Sequence, residues 1–137
     1  MKFYNDINST PLKWHKFVMY FSIPLSFIVS CYNLYVLINI FDKNNYSVLM
    51  GDVFYSLITI VLCLVVFFGF RKFKYYGYWG IYAYMLSNIA YGSYTLFFFI
   101  KNPIVDITQV IIQLITSIIY GVVVGYYYYK RKNLFVN

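Results

Sequence analysis

The sequence predicts an all-α integral membrane protein, with four transmembrane helices in an antiparallel up-down bundle and both termini cytoplasmic. Three observations lead there. Of 137 residues, 62% are hydrophobic and 11% charged, against roughly 45–50% and about 25% in a soluble domain. A single domain of this length cannot hide so much apolar surface from water. Four apolar stretches reach or approach the roughly 20 residues that a crossing requires. The basic residues fall almost wholly on one side of those stretches. Disorder is excluded too, because the chain carries 18 Tyr and 14 Phe, far too much aromatic surface for a chain without a core.

The spans are expected at residues 17–41, 48–70, 77–100 and 103–129, as a single domain over 1–137. The first is too long for a signal-peptide core, and no small-residue cleavage site follows it. Pro24 should bend it, with Ser22 and Ser26 sharing the backbone groups that the bend frees. The second ends in Arg71-Lys72-Phe73-Lys74. The third is the least apolar, holding Tyr78, Tyr82, Tyr84, Tyr91 and Tyr94 beside Ser87, Asn88 and Ser93. Its flanks still require a crossing; otherwise Arg71 and Lys130-Arg131-Lys132 would lie on opposite sides. The fourth opens with start chemistry: Asn102 to cap, Pro103 at the first position, and Asp106 at the positive end.

Orientation follows from charge. Lys2, Lys13 and Lys16, then Arg71, Lys72 and Lys74, then Lys130, Arg131 and Lys132 share one side, against Lys43 and Lys101 on the other. The basic side is the cytoplasmic one. The net +7 is therefore an inward rim facing anionic head groups, not a nucleic-acid footprint, and no nucleic-acid partner is expected. Trp14, Tyr75, Tyr76, Trp79 and Tyr126 to Tyr129 fall where an inner aromatic belt belongs.

Much chemistry is excluded. Cys31 lies about 21 Å, and Cys63 about 10 Å, from the inner ends of their spans at 1.5 Å per residue. A disulfide needs Cα atoms within about 7 Å, so both should be free thiols. One histidine, His15, no Glu and no cysteine pair cannot build an ordinary zinc site. His15 reads as an interfacial polar residue. No phosphate-cradling glycine loop is present, and no serine has an evident base. No cofactor, no metal and no catalytic residue are expected.

What remains is a set of polar stripes. Ser22, Ser26, Ser30 and Asn33 mark the first span, and Asp52, Ser56, Thr59 and Cys63 the second. Tyr84, Asn88, Tyr91 and Thr95 mark the third, and Asp106, Gln109, Gln113 and Thr116 the fourth. Steps of three and four keep each set on one face. The expected polar inter-helix core is Ser26, Asn33, Thr59, Tyr84, Asn88, Tyr91, Gln109 and Gln113. Two readings stand: hydrogen-bonded packing between helices, or a solvated cavity. Ser117, Gly121 and Gly125 form a small-residue face for helix packing. Asp52 and Asp106 have two readings as well: each complements a helix N-terminus, or together they form an acidic site on the outer face. No charge lies deep in any span, which argues against midplane proton coupling. Spans 1–2 and 3–4 also show a weak parallel repeat, each opening near a Trp (Trp14, Trp79).

The runs W-H-K-F-x-x-Y from Trp14, F-R-K-F-K-x-x-G from Phe70 and Y-Y-K-R-K-N-L-F-V-N from Tyr128 resemble a family of small four-span membrane proteins of Firmicutes. Some of its members carry an N-terminal zinc ribbon that this chain lacks. The resemblance implies the topology; with no activity established for the family, it implies no catalytic residue. The expected function is that of a non-enzymatic multi-pass protein of the cell membrane, embedded in the lipid bilayer. It would act through protein–protein contacts, as an accessory subunit or a toxin-immunity protein, with a membrane protein or a second copy as partner. The alternative is a small oligomeric channel or transporter with polar residues lining an inter-helix cavity.

The charge distribution makes a direct prediction. In a background without Cys31 and Cys63, single cysteines at Asn44 or Asn102 should react with an impermeant maleimide in intact cells. A cysteine at Asn133 should react only after lysis. Labelling at Asn133 in intact cells would overturn the orientation.

Overall fold

The computed structural model describes residues 12–39, 46–100 and 107–135. Lys2, Asp42, Lys43, Lys101, Asn102, Pro103 and Asp106 lie outside the described residues. The protein is an all-α bundle of four long helices: α1 (Lys13–Asn39), α2 (Tyr46–Arg71), α3 (Tyr75–Ile100) and α4 (Ile107–Tyr129). Three of them, α1, α2 and α4, are long and apolar enough to cross a membrane. Helix α3 has the length, with 26 residues, but its tyrosines, serines and Asn88 hold its hydropathy below that of the others. Helix α1 starts at Lys13, a turn ahead of the expected apolar boundary. The stems of Lys13 and Lys16 can lie along apolar surface while their ammonium groups reach water.

Helix α1 is not uniformly α-helical. Val18–Ser22 forms a π-helical turn immediately before Pro24. Proline cannot donate to the carbonyl four residues back, and a π turn is one way a helix absorbs that defect. Ser22 and Ser26 do not serve the freed backbone as expected. They reach other helices: Ser22 Oγ pairs with Tyr120 Oη of α4 at 2.8 Å, and Ser26 Oγ accepts from Tyr84 Oη of α3 at 2.8 Å.

Consecutive helices pack on one another, and their paired residues run in opposite sequence directions. Asp52 and Tyr55 of α2 bond Tyr91 and Asn88 of α3. Gly92 of α3 faces Leu114 of α4, while Gly125 of α4 faces Tyr82 and Met85 of α3. The tightest approach joins α2 to α3 beside the basic turn. A Cβ on Gly77 would lie 2.6 Å from the Gly69 backbone, and one on Gly69 only 2.5 Å from the Gly77 nitrogen. The two main chains therefore touch, which only glycine permits. The expected small-residue face of α4 is looser. A Cβ on Gly121 would meet Ile89 at 3.6 Å, an ordinary van der Waals distance.

An aromatic box closes the same end. His15 is 3% exposed, not interfacial. Its backbone N–H donates to Tyr127 Oη at 3.2 Å, and its Nδ1 pairs with Tyr128 Oη at 3.0 Å. Its ring stacks on Phe73 at 4.9 Å and packs against Phe70 at 5.0 Å. Phe135 contacts Phe70, Phe73, Tyr78 and Tyr128. Phe73 takes a left-handed φ of 49°, unusual for a bulky residue; the contacts of its ring with His15 and Phe135 hold it there. The expected belt thus divides. Trp14, Tyr76, Trp79, Tyr126 and Tyr129 are exposed, Tyr75 and Tyr127 are half-buried, and Tyr128 is core.

The contrast between glycines is testable. Gly77→Ala should force α2 and α3 apart, an overpacking that costs about 1–3 kcal/mol. Gly121→Ala has room and should melt within experimental error of the wild type. Thermal melts in detergent compare the two. Equal melting temperatures for Gly77→Ala and wild type would contradict the close approach.

Candidate functional site

The stripes converge on a cavity of about 560 Å³, within the range of about 300–1,000 Å³ usual for small-molecule sites. Helix α1 supplies Ser26, Ser30 and Asn33, with Leu25, Val29, Val36 and Leu37 as an apolar wall. Helix α2 supplies Asp52, Tyr55, Ser56 and Thr59; α3 supplies Tyr84, Asn88, Tyr91 and Thr95; α4 supplies Gln113. The i, i+4, i+7 spacing explains why single faces of α2 and α3 line one space.

The wall is knit by hydrogen bonds. Tyr91 Oη donates to Asp52 Oδ1 at 2.6 Å. Tyr55 Oη donates to Asn88 Oδ1, and the Asn88 amide nitrogen donates to the Tyr84 carbonyl at 3.0 Å. The Tyr55 and Tyr91 rings lie parallel with centroids 3.7 Å apart and planes 6° apart. Stacking fixes both phenols, so their hydroxyls are aimed before any ligand arrives. One polar atom stands out. Thr59 is 2% exposed, and its Oγ1 has no hydrogen-bond partner in the protein. A buried hydroxyl in that state costs about 1–3 kcal/mol.

Asp52 is better placed than the sequence indicates. Helix α2 begins at Tyr46 and has no acidic residue in its first turn. The dipole effect fades beyond the first turn, so end-capping no longer accounts for Asp52. Its carboxylate borders the cavity instead. Gln109 lies on the exposed face of α4, outside the lining. Ser117 lines a second cavity of about 240 Å³ with Ser22, Thr116 and Tyr120. Tyr84, Ser26 and Asn88 border both cavities, so the Tyr84–Ser26 bond stands between them. Gly121 and Gly125 serve the α3–α4 contact, where Tyr82 Oη donates to the Gly125 carbonyl at 2.8 Å. Tyr55 escaped the stripe pattern; its place one residue before Ser56, between Asp52 and Thr59, was the available signal.

Cys31 is exposed and Cys63 buried, and both are free thiols. Among the described residues, no group of three or more His, Cys, Asp or Glu could hold a metal ion. Comparison with protein-family models, with curated proteins and with solved structures finds no match.

Solvation of the cavity can be measured. In a background without native cysteines, a cysteine at Ser30 or Thr95 should react with a small water-soluble methanethiosulfonate. One at Val61, an exposed apolar position on α2, should not, because lipid suppresses the thiolate. Equal reactivity at all three positions would show that the cavity is not a distinct aqueous space.

Proposed function

We propose that this protein is a non-enzymatic, multi-pass protein of the cell membrane that takes a small polar solute into the space between its helices. It belongs on this reading with small channels and carriers. All four helices cross, and the basic aromatic end faces the cytoplasm, as the Lys and Arg distribution requires. Crossing by α3 is supported by its setting. Three of its polar residues, Tyr84, Asn88 and Tyr91, turn toward α1 and α2, as their bonds record, so those three need not meet lipid.

The observation that carries the reading is the cavity itself. The stripes of α2 and α3 pair directly through Asp52–Tyr91 and Tyr55–Asn88, yet about 560 Å³ stays open between that paired wall and α1. The second space beyond Tyr84–Ser26 extends the polar lining toward Ser22 and Tyr120. Past those residues lies the aromatic box around His15. The two spaces adjoin at Tyr84–Ser26, and the basic end is filled by aromatic rings, an arrangement that suits a carrier in one of its access states.

Purified protein in proteoliposomes tests this. Solute entry, followed by light scattering or by radiotracer uptake, should exceed that of empty liposomes. Ser30→Phe, which fills the cavity, should lower it at least about tenfold, the scale of one well-packed obstruction. Flux equal to that of empty liposomes for every solute tried would leave the accessory-subunit or immunity role as the reading to pursue.

A further inference from the structure

We infer that the cavity is built for a small organic ammonium ion, an amine carrying a short alkyl chain. The inference rests on the solute-binding reading above and names its substrate class.

The first ground is charge. Among the described lining residues Asp52 alone is charged. Its half-buried carboxylate borders the cavity, so a cationic ligand is attracted there and an anion repelled.

The second ground is hydrogen-bond polarity. Tyr91 spends its proton on Asp52, Tyr55 spends its own on Asn88, and the Asn88 amide is engaged by the Tyr84 carbonyl. The donors around Asp52 are thus used within the wall. What faces the cavity there is acceptor capacity: the second carboxylate oxygen and the phenolic lone pairs. A ligand matching that surface must donate, and an alkylammonium group brings up to three N–H donors.

The third ground is shape. Leu25, Val29, Val36 and Leu37 make one side apolar, which suits an alkyl tail and not a hydrated inorganic ion. A bare divalent cation would need six or more oxygens held close, and the described residues offer a single carboxylate in a much larger space.

Isothermal titration calorimetry on the purified full chain in nanodiscs tests the assignment with three probes of one length: butylammonium, butanol and butyrate. Butylammonium should bind saturably, and the other two should not. Asp52→Asn should weaken butylammonium binding about tenfold or more, the loss of one charge-assisted hydrogen bond, while Asp52→Glu should retain most of it. Tyr91→Phe, which leaves the stacked ring in place, should weaken binding by a smaller factor. Equal binding of the three probes, preference for butanol or butyrate, or butylammonium affinity unchanged in Asp52→Asn would each overturn the inference. If Asp52→Asn does not fold, the ranking of the probes on the wild-type protein still decides. Flux of neutral solutes without ammonium binding would overturn the substrate class and keep the conduit. Ammonium binding without flux of any solute would keep the site and overturn the conduit.

Discussion

Two backbones touching at Gly69 and Gly77 set the geometry of the bundle. Lipid offers no hydrophobic force between helices, so association depends on close packing and hydrogen bonds. The glycine contact supplies the closest packing available, main chain on main chain. It also ties α2 to α3 across the short basic turn, where Phe73 adopts its left-handed conformation. Toward the other end, side-chain bonds take over the contact of the two helices. Between Asp52 and Asn88 the spacer is the stacked Tyr55–Tyr91 pair, and there the cavity opens.

The two ends therefore differ in character for one reason. At the basic end, glycine and aromatic rings fill the space, and His15 is drawn in by Tyr127 and Tyr128 from the far end of the chain. At the Asp52 end, tyrosines bond through their hydroxyls to neighbours on other helices, which spends polarity on the wall and leaves volume unfilled. Tyrosine serves both ends because it combines a large apolar ring with one polar tip. The abundance of Tyr in the third helix, which makes it the least apolar of the four, is the same feature that lets it sit against α1, α2 and α4 at once. Each neighbour receives at least one of its hydroxyls: Ser26 on α1, Asp52 on α2 and the Gly125 carbonyl on α4.

Helix type and the polar face of each helix were legible in the sequence, because both follow from local periodicity and composition. A run of some twenty apolar residues has few alternatives in a bilayer, and residues three or four apart must share a face. Ser26, Asn33, Thr59, Tyr84, Asn88, Tyr91 and Gln113 accordingly line one space. Other features could not be read locally. Gln109 shares the spacing of Gln113 but lies outside that space, since spacing fixes the face of a helix and not how far along it the neighbouring helices reach. His15 reads as interfacial beside Trp14 and Lys16; its burial comes from Phe70, Phe73, Tyr127 and Tyr128, all far along the chain. Gly69 and Gly77 carry no small-xxx-small signature between them, because they sit on two different helices. Gly121 and Gly125 carry that signature and make only ordinary contacts.

Composition alone determined that this chain is helical and built for lipid, and periodicity determined which side of each helix is polar, because both are properties of neighbouring residues. Whether those polar faces would meet and cancel or stand apart around a space was decided only in three dimensions. That outcome depends on the distance between helix axes, and the distance is set by contacts between side chains far apart in sequence: glycine on glycine at one end, ring on ring at the other.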